Sequence, residues 1–364
     1  MRVGVVGGGQ LGRMLALAGH PLGIEVTTLD PVGASPAAQV APAIEAAFDD
    51  LDALARLAEA SDVATYEFEN VPVEAARFLA TRVEVQPAPD ALGVAQDRLA
   101  EKGAFTEVGL PVPVFAAVDD LTSLHEAIGV IGLPGVLKTR RLGYDGKGQF
   151  VLRDRVRAED AWRAVGEQPS IFEALVDFDR ELSIVGARGR GGETAFFPLV
   201  ENRHRDGILR VSLVPAPGVT AELQTIAEAH ARALMERLGY VGVLAIELFE
   251  SAGGLQGNEM APRVHNSAHW TIEGAATSQF EQHLRAVAGL PLGRSGARGA
   301  SAMVNLVGAL PEAAAVLAVP GAHLHLYGKE PRPGRKVGHV TIVAADDGER
   351  DARLGELLPM LPDA

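Results

Sequence analysis

Asn258-Glu259-Met260-Ala261-Pro262-Arg263-Val264-His265-Asn266-Ser267 is the stretch around which the rest of the chain can be read. Just upstream, Val241-Gly242-Val243-Leu244-Ala245-Ile246-Glu247 is an apolar run that ends in a carboxylate. Ser251-Ala252-Gly253-Gly254 lies between them as a turn signal, which predicts a β-hairpin. In a plain register Glu247 faces Asn258 and Glu259 falls on the other side. One extra residue, bulged at Gly253, Gly254 or Gly257, brings Glu247 and Glu259 together on one side. Two carboxylates with a neighbouring amide oxygen are the hard ligands that Mg²⁺ takes alongside substrate phosphates. The plain alternative is a pair of acids on a solvated sheet face. Arg263, His265 and Asn266, clustered beside an apolar strand, weigh against it.

The composition narrows the classes. A chain of 364 residues is expected to hold two or three domains, and 47% hydrophobic with 22% charged residues is ordinary globular usage. No run approaches the roughly 18 uninterrupted apolar residues of a membrane helix. A strand at Val3 to Val6 leaves no room for a signal peptide, so the expectation is a cytoplasmic protein without a membrane partner. The absence of cysteine removes disulfides, thiolate metal sites and thiol nucleophiles. A net charge of −14 argues against nucleic acid, which needs a basic face to displace counterions. An anionic substrate must therefore be met by local positive charge. Only five of the 33 basic residues are lysine: Lys102, Lys138, Lys147, Lys329 and Lys336. Lysine is expected where a compact ammonium serves better than a planar guanidinium.

Toward the N-terminus, Arg2 to Val6 and Ile24 to Leu29 read as strands, with Gly7-Gly8-Gly9-Gln10-Leu11-Gly12 opening a helix between them. Gly7, Gly9, Gly12 and Asp30 fit a dinucleotide fingerprint, which alone is weak. It implies more firmly a helix N-terminus open to an anion or polar ligand. Helix and strand continue to alternate through Val63 to Tyr66, Glu67-Phe68-Glu69-Asn70 and a short strand at Val83 to Gln86, predicting a doubly wound domain over residues 1–90. A helix over Asp90 to Val108 carries Gln96 to Lys102 on its surface, and Gly135 to Lys138 is a strand. Arg140-Arg141-Leu142-Gly143-Tyr144-Asp145-Gly146-Lys147-Gly148-Gln149 is either an ordinary hairpin loop or a Gly-rich loop that closes over phosphates.

Ile171 to Ala174 begins a new stretch, followed by antiparallel strands at Arg180 to Ala187, Thr194 to Val200 and Gly207 to Leu213. A helix follows at Ala221 to Leu238, where the apolar residues keep a helical period. His323 and His325 share one strand face without acidic neighbours in sequence and read as structural. His265 is the histidine that reads as functional, and His204 stays open.

Together these parts resemble the ATP-grasp ligases, and within them the 5-(carboxyamino)imidazole ribonucleotide synthases of purine biosynthesis. The resemblance rests on Gly7 to Met14, Tyr66 to Asn70, Gly143 to Gln149, Asn258 to Ser267 and Arg332 to His339, spread over nearly the whole chain. Leu142 and Ala268 stand where glycine is usual in the family. The resemblance implies an α/β and α+β architecture: a doubly wound pre-ATP-grasp domain, a central lobe over 91–170, and a larger mixed-sheet lobe over 171–364. It implies ATP-dependent carboxylation of 5-aminoimidazole ribonucleotide by bicarbonate through carboxyphosphate.

The site residues follow from the same resemblance. Glu247, Glu259 and Asn258 would hold Mg²⁺, or Mn²⁺ in its place. Arg98 and Lys138 would meet ATP phosphates under the loop Gly143, Tyr144, Asp145, Gly146, Lys147, Gly148 and Gln149. Glu173, Ala174, Leu175 and Val176 would hold adenine, Glu181 the ribose, and His204 would line the same pocket. Gln10, Leu11, Glu67, Tyr144, Asp145, Lys329, Arg335 and Lys336 would bind the ribonucleotide. Arg263, His265 and Asn266, with Asp145 and Lys147, would serve the chemistry, His265 by moving a proton. A homodimer is the expected assembly. Three alternatives stand beside this reading: a formate-dependent glycinamide ribonucleotide transformylase, an NAD-dependent oxidoreductase, and a non-catalytic ribonucleotide sensor.

Overall fold

The computed structural model describes residues 1–143 and 148–362. Its first sheet contains Arg2–Val6 (β1), Glu25–Asp30 (β2), Ala43–Glu45 (β3) and Val63–Tyr66 (β4), all parallel, in the order β3-β2-β1-β4. Val3, Val5 and Val6 are all buried, as a strand covered on both faces requires. Helix Gln10–Gly19 packs on one face through Leu11 and Leu15. Helices Leu51–Glu59 and Val73–Ala80 pack on the other through Leu54, Leu57 and Leu79. The strand expected at Val83 to Gln86 is reduced to one bridge, Ala64 to Val85.

Phe115–Val118 (β5), Gly135–Thr139 (β6), Gln149–Leu152 (β7) and Ser170–Ala174 (β8) form a small antiparallel sheet in the order β5-β8-β6-β7. The break expected between residues 170 and 171 therefore falls at the start of a central strand. The third sheet has nine strands: Arg180–Arg188 (β9), Thr194–Phe196 (β10), Val200–Arg205 (β11), Ile208–Val214 (β12), Gly242–Ser251 (β13), Gly254–Ala261 (β14), Ala300–Val307 (β15), Ala322–Leu326 (β16) and Lys336–Ala344 (β17). Its order is β14-β13-β9-β11-β12-β15-β17-β16, with β10 paired to β9. The single strand expected over Thr194 to Val200 is split into β10 and the start of β11. Pro198, which has no N–H for a ladder, lies in the gap.

The helix expected over residues 90–108 is likewise two helices, Pro89–Ala95 and Arg98–Glu107. Asp97 caps the second, accepting the N–H groups of Leu99 at 3.1 Å and Ala100 at 3.5 Å. Nor does its polar run lie on the surface. Asp97, Glu101 and Lys102 are 3%, 2% and 0% exposed, because this helix is pressed against the β13–β14 hairpin.

Alternation along β13 ties the sheets together. Val243 and Ala245 share a core with Val3, Val5, Leu15, Phe280 and Leu284, which fixes the first sheet against the large one. Leu244, Ile246 and Leu248 face the opposite way, toward Phe105, Leu110 and Met260. Each such side chain contributes about 1.5–3 kcal/mol on full burial. The carboxylate hairpin is thus gripped from both faces.

Candidate functional site

Leu248 pairs with Gly257 and Glu247 with Glu259, so Asn258 is the extra residue of a β-bulge. The two carboxylates are cross-strand partners, as expected, although the bulge lies at Asn258 and not at one of the three glycines. Lys102 explains its position. This buried ammonium donates to the carbonyls of Gly257 at 3.0 Å and Asn258 at 2.8 Å, drawing the bulged backbone toward helix Arg98–Glu107. Burial, then repulsion from Glu259, pushes Glu247 up to about 7. Asn258 Oδ1 is buried with no hydrogen-bond partner. Excess negative charge beside an orphaned amide oxygen is a donor set that fits a hard divalent cation.

Positive groups approach from the other lobe. Arg98 Nη1 lies 3.1 Å from Glu259 Oε2, and Lys138 Nζ 2.8 Å from Glu173 Oε2. Lys102 Nζ is 3.5 Å from the second oxygen of Glu173. Burial opposes ionisation of Glu173, yet Lys138 and Lys102 hold it below the usual carboxylate range. Glu101 completes the group by accepting the Met260 N–H at 2.5 Å. Burial pushes its carboxyl up to about 8.

The base of the glycine loop is tied to the same helix. Asp97 pairs with Arg140 at 2.8 Å and Arg141 at 3.1 Å. Gly143 opens the loop and Gly148 closes it at φ +71, where a Cβ would meet Thr139 Oγ1 at 2.7 Å. Gln149 pairs with Lys138 across β6 and β7. Tyr144, Asp145, Gly146 and Lys147 lie outside the described residues.

At the end of β8, the N–H of Ala174 is taken by the Val114 carbonyl and that of Leu175 by Pro134. Those two amides are thus occupied within the protein, and Val176 follows half-buried. Glu181 Oε2 is 3.1 Å from His204 Nδ1. Burial works against protonation of His204, but Glu181 and the charge of Glu247 raise it above its ordinary value.

After β14, the chain turns under the carboxylate pair. His265 Nε2 stands 3.3 Å from Glu247 Oε1, and its Nδ1 is 2.8 Å from Ser267 Oγ. Burial, aided by Arg263 and Lys336, holds His265 well below its ordinary value. Arg263 is paired with Glu69, which joins this segment to the motif following β4. Asn266 and Asn305 exchange amide hydrogen bonds at 2.9 and 2.7 Å, which occupies both ends of the Asn266 amide.

The N-terminal glycine turn departs from expectation. It is not open to an external anion, because Glu67 accepts the N–H of Gly9 at 2.8 Å and of Gly12 at 2.9 Å. Asp30 accepts the N–H of Gly8 at 2.8 Å and of Val32 at 2.8 Å. A dinucleotide pyrophosphate would need the place that Glu67 fills. Leu11 is only 7% exposed and packs in the core, so its main chain alone is available to a ligand. Gln10 accepts from Lys329 across the cleft. Burial, with Arg335 and Lys336 nearby, lowers Lys329. Arg335 Nη1 donates to the Glu330 carbonyl at 3.2 Å.

His325, which has no acidic neighbours in sequence, is 2.7 Å from Glu273 and stacks on His339. Glu273 is distant in sequence, so local reading could not find it. Asp97, Glu101, Lys102, Glu69, Ser267 and Asn305 also support the site, in roles that the sequence analysis did not assign to them. Asp97 had a legible signal as an N-cap, whereas the others become visible only through tertiary packing.

Three family models match the chain: a ribonucleotide synthetase preATP-grasp domain over residues 1–96, an ATP-grasp domain over 103–280, and a phosphoribosylaminoimidazole carboxylase C-terminal domain over 301–353. The N5-carboxyaminoimidazole ribonucleotide synthase of Pseudomonas aeruginosa is 51% identical, covering 98% of each chain. The solved N5-carboxyaminoimidazole ribonucleotide synthetase of Thermus thermophilus is 54% identical with a TM-score of 0.96, covering 100% of this chain and 99% of its own. The N5-carboxyaminoimidazole synthase of Aspergillus clavatus, solved with ADP and 5-aminoimidazole ribonucleotide, is 31% identical with a TM-score of 0.92. It covers 99% of this chain and 98% of its own.

Proposed function

This chain belongs to the N5-carboxyaminoimidazole ribonucleotide synthases, ATP-grasp ligases of purine biosynthesis, and on that premise we propose how its own residues divide the work. It is an ATP-dependent ligase that carboxylates 5-aminoimidazole ribonucleotide. Bicarbonate is a poor electrophile, because its leaving group would resemble hydroxide. Moving the γ-phosphoryl group of ATP onto a bicarbonate oxygen gives carboxyphosphate. The amine then attacks its carbon, and phosphate departs in place of hydroxide. Such transfer needs chiefly positioning and charge neutralisation.

The paired carboxylates of the β13–β14 bulge carry this reading. Glu247, Glu259 and the orphaned Asn258 Oδ1 would hold Mg²⁺. An ion held by these residues would supply neutralisation of phosphate charge. Arg98 and Lys138, aimed by Glu259 and Glu173, supply contacts to phosphate oxygens. Glu173 to Val176 with Glu181 and His204 form the nucleoside side of the pocket. Arg263 and Asn266, held by Glu69 and Asn305, place bicarbonate beside the carboxylate pair. Lys329, Arg335 and Lys336 draw the ribonucleotide phosphate to the cleft shared with Gln10 and Glu67.

The unit of residues 1–90 then supplies Gln10 and Glu67 to the ribonucleotide cleft, and the unit of 91–170, extended through β8, supplies ATP phosphate contacts. The unit of 171–364 supplies the carboxylate pair, Glu181 and His204, and the basic residues of the ribonucleotide cleft. The assembly is a cytoplasmic homodimer. Among the described residues, no helix is long and apolar enough to cross a membrane. ADP release is the test. It should require bicarbonate and 5-aminoimidazole ribonucleotide together, and ADP formed equally well without the ribonucleotide would defeat the assignment.

A further inference from the structure

His265 sits at one end of a buried hydrogen-bonded chain whose direction can be followed atom by atom. Its fixed point is the backbone N–H of Ser267, which can only donate and which points to His265 Nδ1 at 3.4 Å. Nδ1 is therefore an acceptor, and the hydroxyl of Ser267, 2.8 Å from the same nitrogen, donates to it as well. With its proton committed, Ser267 Oγ accepts from Ser183 Oγ at 2.8 Å. Ser183 in turn accepts from Asn202 Nδ2 at 3.0 Å, and Asn202 Oδ1 accepts from Ser212 Oγ at 2.9 Å. Every link runs toward the ring. Ser183, Ser212 and Ser267 are 0% exposed and Asn202 is 4% exposed, so water does not reorganise the chain.

A neutral imidazole whose Nδ1 accepts carries its proton on Nε2. That nitrogen is the one 3.3 Å from Glu247 Oε1. The main chain of His265 is fixed as firmly. Gln279 accepts its N–H and donates to its carbonyl, both at 2.8 Å.

We propose that His265 is a positioning residue, locked as the Nε2–H tautomer by the Ser212–Asn202–Ser183–Ser267 chain, which holds a protonated nitrogen 3.3 Å from Glu247 Oε1 and carries no proton in the reaction. This deepens the functional reading above, since it rests on Glu247 being a metal ligand. Outer partners of that kind orient ligating groups and tune how firmly they bind. The assignment changes what His265 is for. A ring with Nδ1 occupied and Nε2 already protonated has no free lone pair facing the reaction site.

Two substitutions separate a donor from a proton carrier. The amide nitrogen of glutamine reaches about as far as imidazole Nε2, whereas asparagine is one carbon shorter. His265→Gln should keep turnover within about tenfold of the parent and raise the Mg²⁺ concentration needed for half-maximal ADP release, while His265→Asn should lose at least a hundredfold. Equal, near-complete loss in both folded variants would overturn the proposal in favour of proton transfer. The whole protein with ¹⁵N-labelled histidine gives a second reading that needs no variant to fold. The His265 ring should show a pyridine-like Nδ1 and a proton coupled to Nε2, and a proton on Nδ1 would also overturn the proposal. Neither outcome touches the metal assignment, which is decided separately by the Mg²⁺ response of Glu259→Gln.

Discussion

Glu67 Oε2 accepts the N–H of Gly12 at 2.9 Å, so the helix N-terminus that opens the chain is filled by a carboxylate from the end of β4. Its other oxygen takes the Gly9 N–H, and burial raises the carboxyl against these opposing bonds. Glu67→Leu should leave the buried Gly12 amide and the part-buried Gly9 amide without partners, at a cost on the order of 1–3 kcal/mol for the buried one. Urea unfolding would register this as a lower midpoint. An unchanged midpoint would mean that water replaces the carboxylate without penalty.

Glu259→Gln should abolish nearly all turnover while leaving equilibrium binding of 5-aminoimidazole ribonucleotide almost untouched. The substitution removes one anionic ligand from the proposed metal clamp and weakens the 3.1 Å pair with Arg98. Metal–phosphate neutralisation supplies several kcal/mol of transition-state stabilisation. The check is ADP release over a Mg²⁺ titration beside ribonucleotide calorimetry. Near-normal rates at saturating Mg²⁺ would remove Glu259 from the metal's ligands.

The carboxylate pair was legible in the sequence because a hairpin has only two sides and the count from Glu247 to Glu259 calls for one extra residue. What holds that residue out was not legible. Lys102 lies 156 positions from Asn258, and its contact depends on how helix Arg98–Glu107 packs. The glycine turn shows the complementary failure. Its glycines and Asp30 lie where a dinucleotide fold wants them, but the occupant is decided by Glu67, 55 positions after Gly12. Strand and helix positions follow local pattern, whereas the partners of charged groups follow tertiary packing. The buried acids Asp97 and Glu101 and the buried Lys102 were therefore misplaced on a surface.

Arg335→Ala should act on the other substrate. The loss of one charge-assisted phosphate contact costs about 1.5–3 kcal/mol, equivalent to roughly a ten- to hundredfold weaker apparent affinity for the ribonucleotide. The KM for ATP should hardly move. Arg335 donates to the exposed Glu330 carbonyl at 3.2 Å, so the fold should tolerate the change. Steady-state kinetics with each substrate varied in turn decides it. A larger effect on ATP would move this basic stretch to the nucleotide pocket.

The last prediction concerns acid. His283 is fully buried where the first sheet meets β13. The Val243 N–H donates to its Nδ1 at 3.1 Å, and its Nε2 is 2.8 Å from Thr65 Oγ1. Burial lowers its pKa from 6.5 to about 4. Between those values the unfolded chain takes up a proton that the folded chain refuses. The stability that His283 contributes is therefore complete above pH 6.5 and drains away as pH falls toward 4. A depression of this size is worth about 3 kcal/mol at most. His283→Gln can keep an acceptor for Val243 and a donor for Thr65 while removing the titration. Its unfolding free energy, followed by urea melts from neutral pH downward, should fall less steeply than that of the parent. Parallel curves for the two proteins would show that the acid sensitivity of this junction arises from other groups.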